Sequence, residues 1–203
     1  MIFIFLKLFL FFIILSFFGW QFSRKFLKQN ELYVLVPVSM IIGISAFVLL
    51  LNIFSYFLPI YISFTSTLFI LLFLSFYFYT KRDASLLLGV EKKYLYFLII
   101  ATVIISSLYG LIFFSHDIFD EGIHRVYGES IINGNFPVRD PYNPGYSIQY
   151  HYCFALLISA TSYLTGLSMI SSVDATMIFQ ILPVFWMVFA HVYRITKNYK
   201  MAF

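Results

Sequence analysis

Five stretches of about 20 predominantly apolar residues, Ile2–Phe18, Leu32–Leu51, Ile60–Tyr79, Tyr94–Phe114 and Val173–Ile195, constrain this chain more than any other feature. A helix needs about that many residues to cross the ~30 Å hydrocarbon core of a bilayer, and only a helix or closed barrel leaves no backbone polar group facing lipid. The pattern predicts an all-α integral membrane protein with about five transmembrane helices. Charged residues are too few, at 11%, to solvate a globule that is 62% hydrophobic. Aromatics at 22%, mostly Phe and Tyr, suit lipid-facing surfaces and interfacial belts.

Lys7 lies inside the first apolar run and no Ala-x-Ala-like site follows it, so the N-terminus reads as an uncleaved first span instead of a secretion signal. Pro59 separates the second and third spans. The net charge of +4 does not point to nucleic acid, because the cations form short clusters between apolar runs. Arg24, Lys25 and Lys28 occupy the connection Gln21–Glu31; Lys81, Arg82, Lys92 and Lys93 occupy Thr80–Lys93. By the positive-inside rule both connections are cytoplasmic, which places the N-terminus and the segment after Phe114 outside a prokaryotic plasma membrane. The single cysteine, Cys153, excludes an internal disulfide and a Cys-based zinc site and reads as a small buried apolar residue.

The chain thus divides into 1–115, with four transmembrane helices; 116–150, an extracytoplasmic acidic loop; and 151–203, with a further short helix and the last span. His151–Gly166 is apolar but marginal in length for a crossing. Counting it as a span would put Arg194, Lys197 and Lys200 outside, against the charge rule, so an interfacial or re-entrant helix is the preferred reading.

The chemistry is concentrated in His116–His151. It holds Asp117, Asp120, Glu121, Glu129 and Asp140, balanced only by Arg125 and Arg139. A helix beginning near Asp117 places Asp117, Asp120, Glu121 and His124 on one face, where carboxylates and an imidazole can bind a divalent cation or supply a general base. The plainer reading is a solvated acidic face with Glu121 and Arg125 as an i, i+4 ion pair. Asn133-Gly134-Asn135 reads as a helix stop, and Phe136-Pro137, Asp140-Pro141 and Asn143-Pro144-Gly145 as a shaped, turn-rich loop. Tyr142, Tyr146, Tyr150 and Tyr152 suit an interface or a sugar-binding cleft. Asp174 reads as a favourable charge at the start of the last span.

Asp120-Glu121 just after a span, Tyr127, Ile132-Asn133-Gly134-Asn135-Phe136-Pro137, Asp140-Pro141, Pro144-Gly145 and Tyr150-His151-Tyr152 together resemble the first extracytoplasmic loop of GT-C superfamily glycosyltransferases. The texture is closest to prokaryotic multi-span proteins related to the protein mannosyltransferase and aminoarabinose transferase families, over about Phe113–Tyr193. Tyr150-His151-Tyr152-Cys153 stands where mannosyltransferase-like relatives carry a Pro-Pro-Leu-Tyr-like element, and three spans precede the loop-bearing helix where relatives have none.

The resemblance implies transfer of a sugar from a polyprenyl-phosphate-linked donor to an acceptor at the outer membrane face. Asp120 and Glu121 are then the catalytic pair. His124, Arg125, Arg139, Tyr150 and His151 are substrate-binding residues, and Asp120 with His124 would hold a divalent cation, Mg or Mn. The expected partners are membrane lipids, the lipid-linked sugar, and the remainder of a larger enzyme or a second membrane chain, since family members continue for many more spans. Two readings stand against it: a non-enzymatic membrane component, such as a transporter half or assembly subunit, and a degenerate fragment. A transport path should place ionisable groups inside the spans. Apart from Lys7 the apolar runs carry almost none.

Overall fold

The computed structural model describes residues 2–79, 92–113, 119–137, 139 and 153–202; the side chains of residues 2, 5, 93, 109–113, 119–121, 199 and 200 lie outside that description. All regular elements among the described residues are helices: α1 (Ile2–Phe26), α2 (Leu32–Ser55), α3 (Ile60–Phe78), α4 (Lys92–Phe113), α5 (Phe119–Ile132), α6 (Cys153–Thr165), α7 (Met169–Thr196) and α8 (Tyr199–Ala202). Four of them, α1, α2, α3 and α7, are long and apolar enough to cross a membrane. The sequence suggested five. The fifth expected span corresponds to α4, 22 residues from Lys92 to Phe113, whose continuous run of described side chains is Tyr94–Leu108.

Small polar residues share the bundle interior with apolar side chains, and α3 presents a phenylalanine-rich face outward. Along α3, Phe64, Thr67, Leu71 and Ser75 are fully buried, whereas Phe69, Phe73 and Phe76 are 65%, 69% and 64% exposed. Such a surface is stable only against lipid or another apolar partner. Several buried hydroxyls turn back onto the carbonyl four residues earlier: Ser75 donates to Leu71, Ser55 to Leu51 and Thr161 to Leu157. That local bond lets Ser and Thr sit in an apolar bundle without a stranded donor.

Two clusters fix the direction of each helix. At one end Leu8, Phe11 and Phe12 of α1 pack with Leu51 of α2, Ile60 and Phe64 of α3, Ile131 of α5, Ala155–Leu157 of α6 and Ala175 of α7. At the other, Tyr33 of α2 packs with Leu98 of α4 and Trp186, Phe189 and Ala190 of α7. α7 therefore runs antiparallel to α2, starting at the end where α2 finishes. α6, which feeds directly into α7 through Gly166 (φ +82°) and the N-cap Ser168, is 13 residues, about 20 Å long, and ends at the first of these two ends. That is shorter than the ~30 Å hydrocarbon core.

Element ends shift from the expected positions for local reasons. α1 continues past Phe18 to Phe26, carrying Arg24 and Lys25 in its last turn, and the connection to α2 contracts to residues 27–31 with Lys28 in a left-handed conformation (φ 53°). α7 begins at Met169 instead of Val173, because the Ser168 side chain accepts from the Ser171 N–H. α2 and α3 break at Pro59 as expected.

Candidate functional site

α5 is the most amphipathic of the described helices, and it lies at the bundle end where α2 finishes and α7 begins. Its docking is close. Gly128 is buried, its carbonyl accepts from the Ser159 hydroxyl of α6 at 3.0 Å, and an added Cβ there would lie 2.7 Å from the Met169 sulfur of α7. A glycine is what lets α5 approach both helices. Ile131, fully buried, fills the same contact. The helix ends at Ile132, and Gly134 (φ +87°), with N–H bonds from Asn133 to Glu129 and from Gly134 to Ile131, closes it as the Asn133-Gly134-Asn135 motif led one to expect. The loop then passes through a cis Phe136-Pro137 bond and packs the Phe136 ring edge-on against Tyr56 of the α2–α3 turn, 5.0 Å between centroids.

The candidate residues fare differently. Asp120 and Glu121 lie in the first turn of α5, but their side chains, like Asp117, Asp140, Tyr150, His151 and the remaining loop tyrosines, lie outside the described residues. His124 and Arg125 are placed. The His124 imidazole stands edge-on against Phe154 at the start of α6, 4.7 Å between centroids at 82°. Arg125 Nε donates to Glu129 Oε1 at 2.9 Å, both side chains 47% exposed. Glu129 is thus an i, i+4 partner of Arg125, and the expected Glu121–Arg125 pair lies outside the described side chains. Such a pair at the surface is worth only a few tenths of a kcal/mol, about 0.3–0.5. Arg139 is exposed beyond the cis proline.

A divalent cation would need several oxygen ligands. Among the described residues no three His, Cys, Asp or Glu side chains gather, and the Glu129 carboxylate is engaged by Arg125. Of the expected Asp120–His124 ligand pair only His124 is among the described side chains, and no step below is routed through a metal.

Three features escaped the sequence reading. Asp174 does not open its helix: with α7 starting at Met169 it falls in the second turn and is 3% exposed. Cys153 is exposed, not buried, and lines an open cavity of about 550 Å³ with Phe154, Asn52, Ser45, Val48 and Gln180. Phe154, which supports His124, belongs to the wall of that cavity. The run Leu167-Ser168 after Gly166 was the available signal for the earlier start of α7, since a serine following a glycine break is a ready N-cap.

Comparison with protein-family models, with curated proteins and with solved structures gives no match.

Proposed function

We propose that the chain is a membrane glycosyltransferase, or the N-terminal part of one, that transfers a sugar from a polyprenyl-phosphate-linked donor to an acceptor at the outer face of the membrane. The observation that supports it is the seating of α5: an acidic helix clamped through Gly128 onto α6 and α7, at the bundle end opposite Arg24, Lys25, Lys28, Arg194 and Lys197. A base is useful only if its backbone is held, and this one is held on two sides.

In this reading the Asp120 carboxylate takes the proton of the acceptor hydroxyl, and the acceptor oxygen forms its bond to the anomeric carbon. The bond from that carbon to the phosphate oxygen breaks, and the polyprenyl phosphate leaves against positive charge from Arg125, Arg139 and His151. Direct displacement inverts the anomeric carbon. Glu121 supports the base, and His124, steadied by Phe154, and Tyr150 contact the sugar. Membranes holding the complete protein should transfer sugar from a lipid-linked donor in vitro. No transfer from any polyprenyl-phosphate sugar to any membrane or protein acceptor would reject the reading.

Orientation is tested separately. In a Cys153→Ser background, a cysteine at Asn135 should react with an impermeant thiol reagent added to intact cells, and one at Lys28 should not. The reverse pattern inverts the topology and removes the outer-face site.

One observation favours the runner-up, a non-enzymatic carrier or subunit: Asp174 is an ionisable group buried within a helix able to cross the membrane. Under the enzyme reading Asp174→Asn leaves transfer within about threefold of wild type, since the amide keeps the shape and hydrogen-bonding reach of the carboxylate. A loss of proton-coupled or cation-coupled uptake into vesicles bearing Asp174→Asn, with wild-type uptake present, would favour the carrier.

A further inference from the structure

We infer that the cavity between α2, α6 and α7 is a hydrated vestibule that reaches the middle of the spanning helices and takes small, uncharged polar ligands. This inference is independent of the glycosyltransferase reading. The cavity, about 550 Å³, is lined by Ser45, Asn52, Cys153, Phe154 and Gln180 among others. Its volume falls within the roughly 300–1,000 Å³ of small-molecule sites and equals that of on the order of 18 waters. Asn52 stands three residues before Ser55, the last residue of α2. Ser45 stands ten residues before that end, about 15 Å along the axis, and Gln180 eleven residues after Met169, about 16 Å into α7. Since α2 finishes at the bundle end where α7 begins, Ser45 and Gln180 share one depth, close to half of a ~30 Å hydrocarbon core.

The polar groups at that depth look for partners outside the protein. Gln180 carries two N–H donors and a carbonyl acceptor, and Ser45 an O–H donor. Neither side chain hydrogen-bonds to a described residue, whereas Ser55 on the same helix as Ser45 donates back to Leu51. Hydrocarbon offers an amide nothing, and an unserved one in the middle of a span is costly. An acyl chain in the cavity would leave both groups unserved; water serves both, and reaches the exposed Cys153 thiol as well. Among the described residues no charged side chain lines the cavity. A charged solute brought down to Gln180 would therefore stand uncompensated, whereas a hydroxyl or amide exchanges its water for Gln180 and Ser45.

A cysteine reports this water directly, because the thiolate is the nucleophile and a thiol kept in hydrocarbon stays protonated. The full chain, in a Cys153→Ser background, is placed in lipid nanodiscs, which expose both membrane faces and so remove orientation from the result. Ser45→Cys and Gln180→Cys are compared with Phe69→Cys, which lies nine residues, about 14 Å, from the start of α3 at the same bundle end and is 65% exposed on the outward face. Uncharged methyl methanethiosulfonate should modify the first two at least about ten-fold faster than the third, the factor that one unit of thiol pKa supplies. The cationic trimethylammonium reagent, each rate taken relative to that with mercaptoethanol in solution, should lag the uncharged one about ten-fold or more at Ser45 and Gln180. Ser45→Cys exchanges one small group for another and decides the matter if Gln180→Cys fails to fold. Rates no faster than at Phe69 would mean that lipid or protein fills the cavity and would overturn the assignment. A cationic reagent that shows no lag would overturn the restriction to uncharged ligands.

Discussion

Asp120→Asn is expected to lower sugar transfer by about 10²-fold or more in the complete protein, the lower range for loss of a general base, while insertion and expression stay near wild type. The amide keeps the shape of the carboxylate and takes away its basicity. Asp120 belongs to the first turn of α5, eight residues before Gly128 and eleven before Ile131, through which the helix is seated. A fall in transfer is then chemical in origin. Glu121→Gln should be milder if Glu121 supports the base. Glu129→Gln should be milder still, since Glu129 is occupied with Arg125 in a half-exposed pair. Transfer rates in membranes, normalised to the amount of inserted protein, check the series. An Asp120→Asn enzyme with full activity would make the acidic face a solvated surface and remove the base from the mechanism.

The largest structural effect is expected at the α1–α2 crossing. A Cβ at Gly43 would lie 2.0 Å from the Leu15 carbonyl oxygen, and one at Gly19 would lie 1.9 Å from the Ser39 carbonyl oxygen. Both obstacles are backbone, so no rotamer change relieves them and the helices must move apart. Gly43→Ala gains about 1 kcal/mol of helix propensity but overpacks a rigid contact at a cost of about 3 kcal/mol, for a net loss of about 2 kcal/mol. Gly43→Leu should prevent the two helices from associating. Gly122→Ala, on α5 with nothing within 4 Å of the added carbon, is the control and should be neutral or slightly stabilising. Unfolding of the purified chain in mixed micelles, followed by helical circular dichroism, reads all three. Equal stability of Gly43→Ala and Gly122→Ala would mean that the crossing is not as close as described.

The membrane class of this protein, and the positions of most of its helices, are determined by the sequence alone. The reason is that lipid imposes one demand, internal satisfaction of the backbone, and a long apolar run between polar connections meets it in only one way. Pro59 and Asn133-Gly134-Asn135 likewise act through local dihedral preferences, and α3 begins and α5 ends where those residues stand. The candidate site was legible as a chemical texture, an acidic helix followed by a turn-rich loop, and His124 and Arg125 do lie on that helix.

What tertiary structure decided is whatever depends on which helix faces which. Asp174 reads as a helix-start charge until the Ser168 cap moves that start upstream and the packed bundle buries it. Gly19 and Gly43 are unremarkable glycines in apolar runs, and become the α1–α2 contact only when two backbones meet there. Cys153 has the composition of a core residue and is exposed because the first residue of α6 stands at the edge of a cavity. In each case the deciding energy is a contact between residues distant in sequence, to which local propensity and hydropathy contribute nothing.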